Sequence, residues 1–496
     1  MTYPNPTPVP PPGPPAAAPV RPLPAYPALR TDVNIQGNVL AGFSKDYQSI
    51  MFLQLPDQAH GRALLSDLLP LIATNAEVTI FNQQFSRARQ AALRDPDDLS
   101  ATWIGLSLTS PGLALLSPPA VGPLSQVGLD SSIQRWISGA TTAPDIATSG
   151  AEAPTNWFFG RQDQAIHLVL VIASDSSDGL LGATQEIYQL LAAHNALLVF
   201  EQDGAVLPGP LHGHEHFGFK DGVSQPGVIG YDQPDPANNG QVDGAPGTLL
   251  IEPGEFVLGY PGHDLPSGRP VPLWMFDGSF FVIRRLDQDV PGWWAQAETL
   301  KTAFAAPADT IGAKLVGRWR SGVPVDLAPA SDPRGGADLS AANNFDFSGD
   351  PTGTKTPLCS HIRKVNPRAG VPGQDEVSKH RILRRGIPFG APFSPAAGED
   401  HGADAPRGLV FACYQASIDN QFEFLQQTWA DNSGFPSPGA GPDPVIGPAG
   451  QATVPGATPQ PTSLARFVAL QGALYAFTPS IPTLEAIASG TPLQFS

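Results

Sequence analysis

The chain has 496 residues, 41% of them hydrophobic, and a formal net charge of −17. This length is too great for one simple core and fits two domains. The acidic charge excludes a general electrostatic attraction to nucleic acid or to anionic lipid, so we expect neither nucleic acid nor a membrane as a partner.

Cysteine usage and apolar runs narrow the class of protein further. The only cysteines are Cys359 and Cys413, which excludes a disulfide framework and a multi-cysteine metal site. Two reduced, buried thiols are expected rather than a single bridge. No run approaches the ~20 apolar residues of a membrane helix, and the N-terminus shows no export signal. The sequence therefore predicts a soluble, cytoplasmic protein.

Residues 1–31 form a tail in which proline dominates from residue 4 to residue 27. Such a composition cannot pack a core, so we predict an extended, disordered segment. A partner with a proline-binding groove would also fit, but a passive tail is the simpler interpretation.

The first half of the folded chain, residues 32–210, shows a strand–helix–strand pattern twice. The alternation of Ile104, Leu106 and Leu108 is typical of a strand. The predicted elements are a strand at 49–55, a helix at 62–73, a strand at 104–108, a parallel or buried strand at 166–173, a helix at 180–193 and a strand at 197–201. This order predicts a ferredoxin-like domain, in which helices pack on one face of a sheet.

The second half, residues 211–496, repeats the pattern with longer interruptions. The predicted elements are a strand at 279–286, a helix at 293–304, a strand at 409–415, a helix at 419–429 and strands at 466–470 and 474–477. The intervals 231–255, 326–356 and 432–463 are predicted loops, and loops of this length in a compact domain are often functional. The predicted fold class is α+β, with two ferredoxin-like domains whose antiparallel sheets are covered by helices.

Asp221 is the first candidate site residue, in the segment Gly218-Phe219-Lys220-Asp221-Gly222. A positioned carboxylate can take a proton from one oxygen of hydrogen peroxide and return it to the other. The flanking glycines allow the backbone to approach a flat cofactor closely. An ordinary turn is the alternative interpretation of an isolated Asp-Gly pair.

A basic stretch between residues 361 and 385 holds the other candidates. It begins with His361, and neutral imidazole is a usual ligand of haem iron. Cations that could neutralise haem propionates follow at Arg363, Lys364 and Arg368. Arg384 or Arg385 could stabilise the negative charge that develops as the O–O bond of peroxide breaks. A solvated charged surface is the alternative interpretation of the whole stretch.

Three histidines precede Asp221 in the segment His212-Gly213-His214-Glu215-His216. On a strand they would share one face and could form a metal cluster, but Glu215 would point to the opposite face. We therefore favour a local hydrogen-bonding role for these histidines over a metal site.

Several longer segments together resemble the dye-decolorizing peroxidase family. They include a GxxDG block followed by Ser-Gln-Pro at 216–226, the opening segments at 35–40 and 42–46, and the segments at 278–286, 317–322 and 413–418. The similarity covers roughly residues 32–490, which leaves out only the proline-rich tail.

The resemblance implies a haem peroxidase with haem b in its C-terminal half. Such an enzyme uses hydrogen peroxide to oxidise dyes and phenolic or other aromatic reductants by single-electron steps, and we expect a monomer or a homodimer. By position in the motifs, Asp221 would be the distal acid–base residue and His361 the proximal iron ligand. Arg384 would be the distal arginine, with Arg385 as the second choice. Asp419 would be the hydrogen-bond partner of His361.

Two departures from the family pattern affect these expectations. A serine precedes His361 and the nearby cysteine stands at 359, which should not impair ligation. Phe389 stands where some relatives have tyrosine, so a radical relay through that position is disfavoured. The alternatives are a haem-binding or haem-delivery protein with little peroxidase activity and a non-haem metal protein built on His212, His214 and His216.

Overall fold

We describe the protein from a computed structural model. It describes residues 28–495 except 93–95, 97–98, 126–128, 263, 265–267, 334–338, 394–405 and 455–459. Residues 1–27 of the predicted tail lie outside the described residues. Residues 28–31, which the prediction also assigned to the tail, are packed: Leu29–Thr31 is a short 3-10 helix and Leu29 is fully buried.

The described residues of the N-terminal half form four strands and five α-helices, besides short 3-10 helices. The strands are β1 (Tyr47–Gln54), β2 (Thr102–Leu108), β3 (Leu168–Ser174) and β4 (Leu197–Ala205); the helices are α1 (Gln58–Leu68), α2 (Asn75–Ala92), α3 (Ser110–Leu116), α4 (Ser131–Ser138) and α5 (Ser177–Ala193). All four predicted strands are confirmed. β3 is buried along its length but pairs antiparallel with β1 and β2, and α2 was not predicted.

The C-terminal half contains the remaining strands, helices α6–α10 and one π-helix. In chain order they are β5 (Gly227–Val228), β6 (Gln241–Val242), β7 (Ala245–Ile251), β8 (Ser279–Gln288), α6 (Val290–Phe304), α7 (Ala308–Val316), α8 (His361–Val365), α9 (Gln374–Lys379), β9 (Leu383–Arg384), β10 (Ile387–Phe389), β11 (Gly408–Gln415), the π-helix (Ile418–Ala430), β12 (Gly450–Val454), β13 (Gln460–Leu464), β14 (Val468–Thr478) and α10 (Ile481–Ser489). β14 was predicted as two strands; it is one strand with an irregularity between Leu470 and Gly472.

Both halves have the same strand order, and together they form one nine-stranded sheet. The order is β4-β1-β3-β2 in the first half and β14-β8-β11-β10 in the second, so each runs fourth, first, third, second. The halves join where Phe477 of β14 pairs with Leu108 of β2. At the other end β4 lies against β10, since a Cβ added at Gly204 would be 2.8 Å from the Pro388 carbonyl oxygen. The predicted α+β class with two ferredoxin-like halves is confirmed, while the domain boundary at 210/211 stays a prediction.

The alternation of side chains along β8 decides which residues face the helical layer. Phe280 and Val282 join one apolar cluster, and Phe281 and Ile283 join the cluster on the opposite face. Because side chains alternate along a strand, the arginines that follow separate as well. The Arg284 guanidinium lies 4.6 Å from the centre of the Phe422 ring of the π-helix, so it faces the helices.

Two class predictions can be compared with the fold. Cys359 and Cys413 are both free and buried, which confirms the predicted reduced thiols. Within the described part of the chain, every helix is too short or too polar to cross a bilayer.

Candidate active site

Asp221 and Arg384, two of the candidate site residues, are in direct contact. Arg384, at the end of β9, donates from Nη1 to Asp221 Oδ1 at 2.7 Å, and the Gly222 amide donates to the same oxygen at 2.6 Å. Gly222 has φ of +72°, a left-handed conformation that favours glycine. Burial raises the pKa of Asp221, but the charge and hydrogen bond of Arg384 lower it more, so the pKa lies below its usual range. Asp221 is therefore held as a carboxylate in acid.

Arg385, the second choice for the distal arginine, points elsewhere. Its guanidinium donates to the carbonyl oxygens of Asn38, Val39 and Leu40 at 2.8–3.0 Å. These bonds tie the C-terminal half to the start of the folded chain. Of the two neighbouring arginines, only Arg384 contacts Asp221.

His361 is the first residue of α8, and its partner is Asp443. The Nδ1 atom of His361 lies 2.8 Å from Asp443 Oδ2, and Asp443 is fully buried, with its other oxygen accepting from two backbone amides. Burial lowers the pKa of His361, but the charge and hydrogen bond of Asp443 raise it more. With Nδ1 engaged, Nε2 is the atom available to a metal.

The expectation that Asp419 is the partner of His361 is wrong. Asp419 lies at the start of the π-helix and accepts from the hydroxyls of Ser131, Ser132 and Ser417. It therefore ties α4 of the N-terminal half to the π-helix. Asp443 was not identified from the sequence, in which it stands 82 residues after His361.

Arg363 does not provide the predicted cation for a haem propionate. Its guanidinium is buried and bonds to Asp350 at 3.2 Å and to the carbonyl oxygens of Thr356 and Asp350, both at 2.7 Å. Residues two apart on a helix do not face each other, so Arg363 points away from the side on which His361 lies. Lys364 is likewise buried and donates to three carbonyl oxygens.

One cavity of about 350 Å³ brings the candidate residues together. It is lined by His361, Asp221 and Arg384, and its apolar lining includes Phe219, Leu286, Val316, Ile362, Ile382, Leu409, Phe411 and Ile446. The apolar wall suits a flat hydrophobic molecule, and the imidazole provides a metal ligand at its edge.

Three further arginines, Arg318, Arg368 and Arg381, line the same cavity. Among the residues that the structure describes, none is a hydrogen-bond or ion-pair partner of the Arg381 side chain. Burial, together with Arg368 and Arg384, lowers the pKa of Arg381 to about 9. A cluster of cations with an unpartnered guanidinium favours an anionic ligand group. Haem, which has an apolar ring, two carboxylates and an iron that can take an imidazole ligand, would fit these residues. Arg381 was not identified from the sequence.

The three histidines before Asp221 do not gather. His214 contacts the carbonyl oxygens of His212 and Arg320, and His216 Nε2 lies 2.8 Å from the Phe389 carbonyl oxygen. The local hydrogen-bonding role is thus confirmed for His214 and His216. Within the described ranges, no three or more histidine, cysteine, aspartate or glutamate side chains gather in a group that could hold a metal ion.

Glu215 organises the segment that carries Asp221, a role that the sequence did not suggest. Its carboxylate accepts from the amides of Phe217 and Phe219 at 2.8 and 2.9 Å and from Gln288 Nε2 at 2.7 Å. Burial raises the pKa of Glu215 to about 7. The carboxylate therefore fixes the turn at 215–219, from which Asp221 reaches Arg384.

Comparisons with known proteins extend over nearly the whole folded chain. Residues 34–206 match the DyP dimeric alpha+beta barrel domain, and residues 269–436 match the C-terminal domain of Dyp-type peroxidases. A dye-decolorizing peroxidase of Mycetinis scorodonius is 32% identical, covering 92% of this chain and 87% of the relative. A second, from Auricularia auricula-judae, is also 32% identical, with 92% and 86% covered.

Solved structures of dye-decolorizing peroxidases are also similar to this chain over most of its length. The structure of AauDyP complexed with imidazole has a TM-score of 0.75 at 30% identity and covers 94% of this chain and all of that chain. A mutant of the dye-decolorizing peroxidase from Pleurotus ostreatus has a TM-score of 0.76 at 28% identity, with 92% and 99% covered.

Proposed function

Because the chain belongs to the dye-decolorizing peroxidase family of haem-dependent oxidoreductases that act on hydrogen peroxide, we propose that Asp221, Arg384 and His361 carry its reaction. Its reductants are phenols, other aromatic compounds and dyes, each oxidised by single electrons. The observation that supports the residue roles is the 2.7 Å contact between Arg384 and Asp221 in the cavity that His361 also lines.

The cofactor in this proposal is haem b. His361 would hold it through Nε2, and the unpartnered Arg381, which lies near Arg368, would neutralise its carboxylates. When bound, haem supplies the redox chemistry that cleaves the O–O bond of peroxide. The hydrogen bond to Asp443 fixes the ring orientation of His361 and makes the imidazole a stronger donor.

Asp221 moves the proton during peroxide cleavage. Its carboxylate takes a proton from one peroxide oxygen and delivers it to the departing oxygen. Arg384 lowers the pKa of Asp221 and stabilises the negative charge that develops on the departing oxygen. Because the base is a carboxylate with a lowered pKa, it stays ionised near pH 4, where a histidine base would be protonated. We therefore expect an acidic optimum.

Replacing Asp221 with asparagine tests this proposal. The variant Asp221→Asn should retain haem but lose about 10²- to 10⁴-fold in peroxide-dependent turnover, the range for removal of a general acid–base residue. A matched control is Asp243→Asn, since Asp243 is exposed and also precedes a glycine with φ of +70°. Stopped-flow absorbance after addition of peroxide measures the reaction of the haem directly.

The alternative, a haem-binding or haem-delivery protein, predicts the opposite result. In that case the wild-type protein would bind haem but react slowly with peroxide, and Asp221→Asn would change nothing. The contact between the two distal groups argues against this alternative. The monomeric or homodimeric state stays a prediction, which light scattering of the haem-loaded protein would test.

A further inference from the structure

The segment that carries Asp221 contains a further residue to which the proposed roles assign no function. Gln225 belongs to the Ser-Gln-Pro run that follows the GxxDG block. Its side chain reaches Arg384, which is 159 residues away in the sequence: Nε2 donates to the Arg384 carbonyl oxygen at 2.8 Å, and Oε1 accepts from the Arg384 amide at 3.3 Å. One side chain therefore bonds to both main-chain polar groups of the proposed distal arginine.

The place of Arg384 in the sheet explains why a glutamine suits this position. β9 consists of Leu383 and Arg384, and among the described strands it pairs only with β11. The Arg385 amide donates to Ala412 of β11 at 2.7 Å, so the amide and carbonyl of Arg384 point to the other edge of β9. A glutamine amide offers a donor and an acceptor side by side. Gln225 thus fills the hydrogen-bonding place that a further strand would have there.

The guanidinium of Arg384 is held by the same segment. Nη1 donates to Asp221 Oδ1 at 2.7 Å, and Nη2 donates to the Ser224 carbonyl oxygen at 3.1 Å. The Arg384 side chain lines the cavity and is 32% exposed, and a partly exposed ion pair alone fixes a long side chain only weakly. The bonds from Gln225 therefore decide where this side chain begins and whether its guanidinium reaches Asp221.

We propose that Gln225 is a positioning residue that keeps the distal arginine in reach of Asp221 and of an anion in the cavity, an inference that rests on the proposed peroxidase function. Both hydrogen bonds of its side chain go to the Arg384 main chain, so Gln225 acts through Arg384. Two properties should depend on it. One is the affinity for an anion beside Arg384, and the other is the pH at which Asp221 becomes protonated, since Arg384 lowers the pKa of Asp221.

Fluoride binding to the ferric, haem-loaded protein without peroxide tests the position of Arg384 independently of turnover. Fluoride accepts a charge-assisted hydrogen bond from a nearby guanidinium, so Arg384→Leu marks the full loss. Gln225→Met keeps the length of the side chain but makes neither bond to the main chain. Arg385 Nη1 still donates to the Arg384 carbonyl oxygen at 2.9 Å, so we expect a partial effect. The Kd for fluoride should rise about fivefold, as for one lost hydrogen bond.

The combined variant separates positioning from a general loosening of the fold. In the Arg384→Leu background, Gln225→Met should leave the fluoride affinity unchanged, because the guanidinium through which Gln225 acts is then missing. The control is Gln134→Met: Gln134 Nε2 donates to the Leu124 carbonyl oxygen at 2.9 Å, away from the cavity lining, and this variant should bind fluoride as the wild type does. In Gln225→Met the acid limb of the peroxide reaction should also move to higher pH.

A second variant keeps the test decisive if Gln225→Met does not fold. In Gln225→Asn the side chain stays polar, but its shorter amide cannot reach both groups of Arg384, so fluoride binding should weaken here too. Wild-type fluoride affinity in each folded Gln225 variant, or an equal effect of Gln225→Met with and without the Arg384 guanidinium, would overturn the proposal. If Gln225→Met weakens fluoride binding while the wild type does not react with peroxide, the peroxidase function fails and the positioning stands.

Discussion

The two halves of the molecule share a strand order but bury different side chains in their first strands. In β1 the buried residues from Ile50 to Leu53 are all apolar. In β8 the equivalent apolar run is followed by Arg284, which is only 6% exposed and lines the cavity. The same strand order therefore accompanies a closed apolar core in one half and a charged cavity in the other. The strand order alone does not determine whether a half can hold a polar site.

The two halves differ most clearly in the segment that follows the first strand of each half, β1 or β8. Between β1 and β2, helix α1 packs Leu64, Leu65 and Leu68 into the apolar cluster beneath the sheet. Between β8 and β9, the segment 289–382 contains a buried ion pair of Asp350 with Arg363 in addition to its apolar contacts. This segment supplies His361 and leaves room for a cavity between sheet and helices. Four predictions test how far the halves differ.

The largest expected effect is the loss of haem from His361→Ala. The N-terminal half offers a matched control in His194, whose Nε2 lies 2.7 Å from Asp67, much as His361 lies 2.8 Å from Asp443. Haem content per protein, measured by absorbance, should fall at least about tenfold in His361→Ala and stay unchanged in His194→Ala. Equal haem content in the two variants would show that His361 is not the ligand.

The second prediction compares what stabilises each half. Asp350→Asn removes one charge of a buried pair whose side chains are 3% and 6% exposed, so the free energy of unfolding should fall by about 3–5 kcal/mol. Leu53→Ala in β1 should cost about 2–5 kcal/mol by opening a cavity. Denaturant titration measures both. If Asp350→Asn were as stable as the wild type, the ion pair of Asp350 with Arg363 would not stabilise the segment between β8 and β9.

The third prediction concerns the partner of His361. Asp443→Asn should lower haem affinity about 10- to 100-fold, because the ligand loses the anion that orients it. Asp419→Asn should leave haem affinity near the wild-type value, since Asp419 bonds to serines between α4 and the π-helix. Transfer of haem to an acceptor protein gives both affinities. If Asp419→Asn lowered haem affinity more than Asp443→Asn does, Asp419 and not Asp443 would be the partner of His361.

The smallest expected effect is a pH dependence of stability that has opposite signs at two half-buried residues, Glu215 and His167. Burial raises the pKa of Glu215 from 4.5 to about 7, so its contribution to stability is complete below pH 4.5 and is lost as pH rises through 7. Burial lowers the pKa of His167 in the N-terminal half from 6.5, so that contribution is present above pH 6.5 and is lost as pH falls.

Thermal unfolding between pH 4 and 8 separates the two contributions. Glu215→Gln should remove a loss of stability toward neutral pH on the order of 1 kcal/mol. His167→Gln should reduce the loss toward acid by a similar amount. A Glu215→Gln profile parallel to that of the wild type would contradict the raised pKa.

Of the candidate residues that line the cavity, the sequence predicted those whose signals are local. Asp221 and Arg384 lie in short segments with glycine or arginine neighbours, and His361 begins a basic stretch. Asp443 is 82 residues from His361, and only the fold brings them together. Arg363 was assigned wrongly, although its position two residues after His361 on a helix already places it on another side.

The fold was predictable where periodicity is strong. Six of the eight main strands, β1–β4, β8 and β11, were predicted as single strands from apolar runs or alternation, whereas β14 was divided into two and the three-residue β10 was not predicted. In the structure the point of division in β14 is an irregularity in one continuous strand. The pair of Asp145 and Arg284 could not be predicted, because each residue comes from a different half.

The position of β14 has a consequence for the synthesis of the protein. This strand lies between β8 and β2 and joins the halves, and it follows both of them in the chain. During synthesis, one edge each of β2 and β8 therefore stays unpaired until the ribosome has made β14. Val468 and Leu470 of β14 also line the cavity. The cavity that would hold the cofactor is thus completed only after β14 has been synthesised.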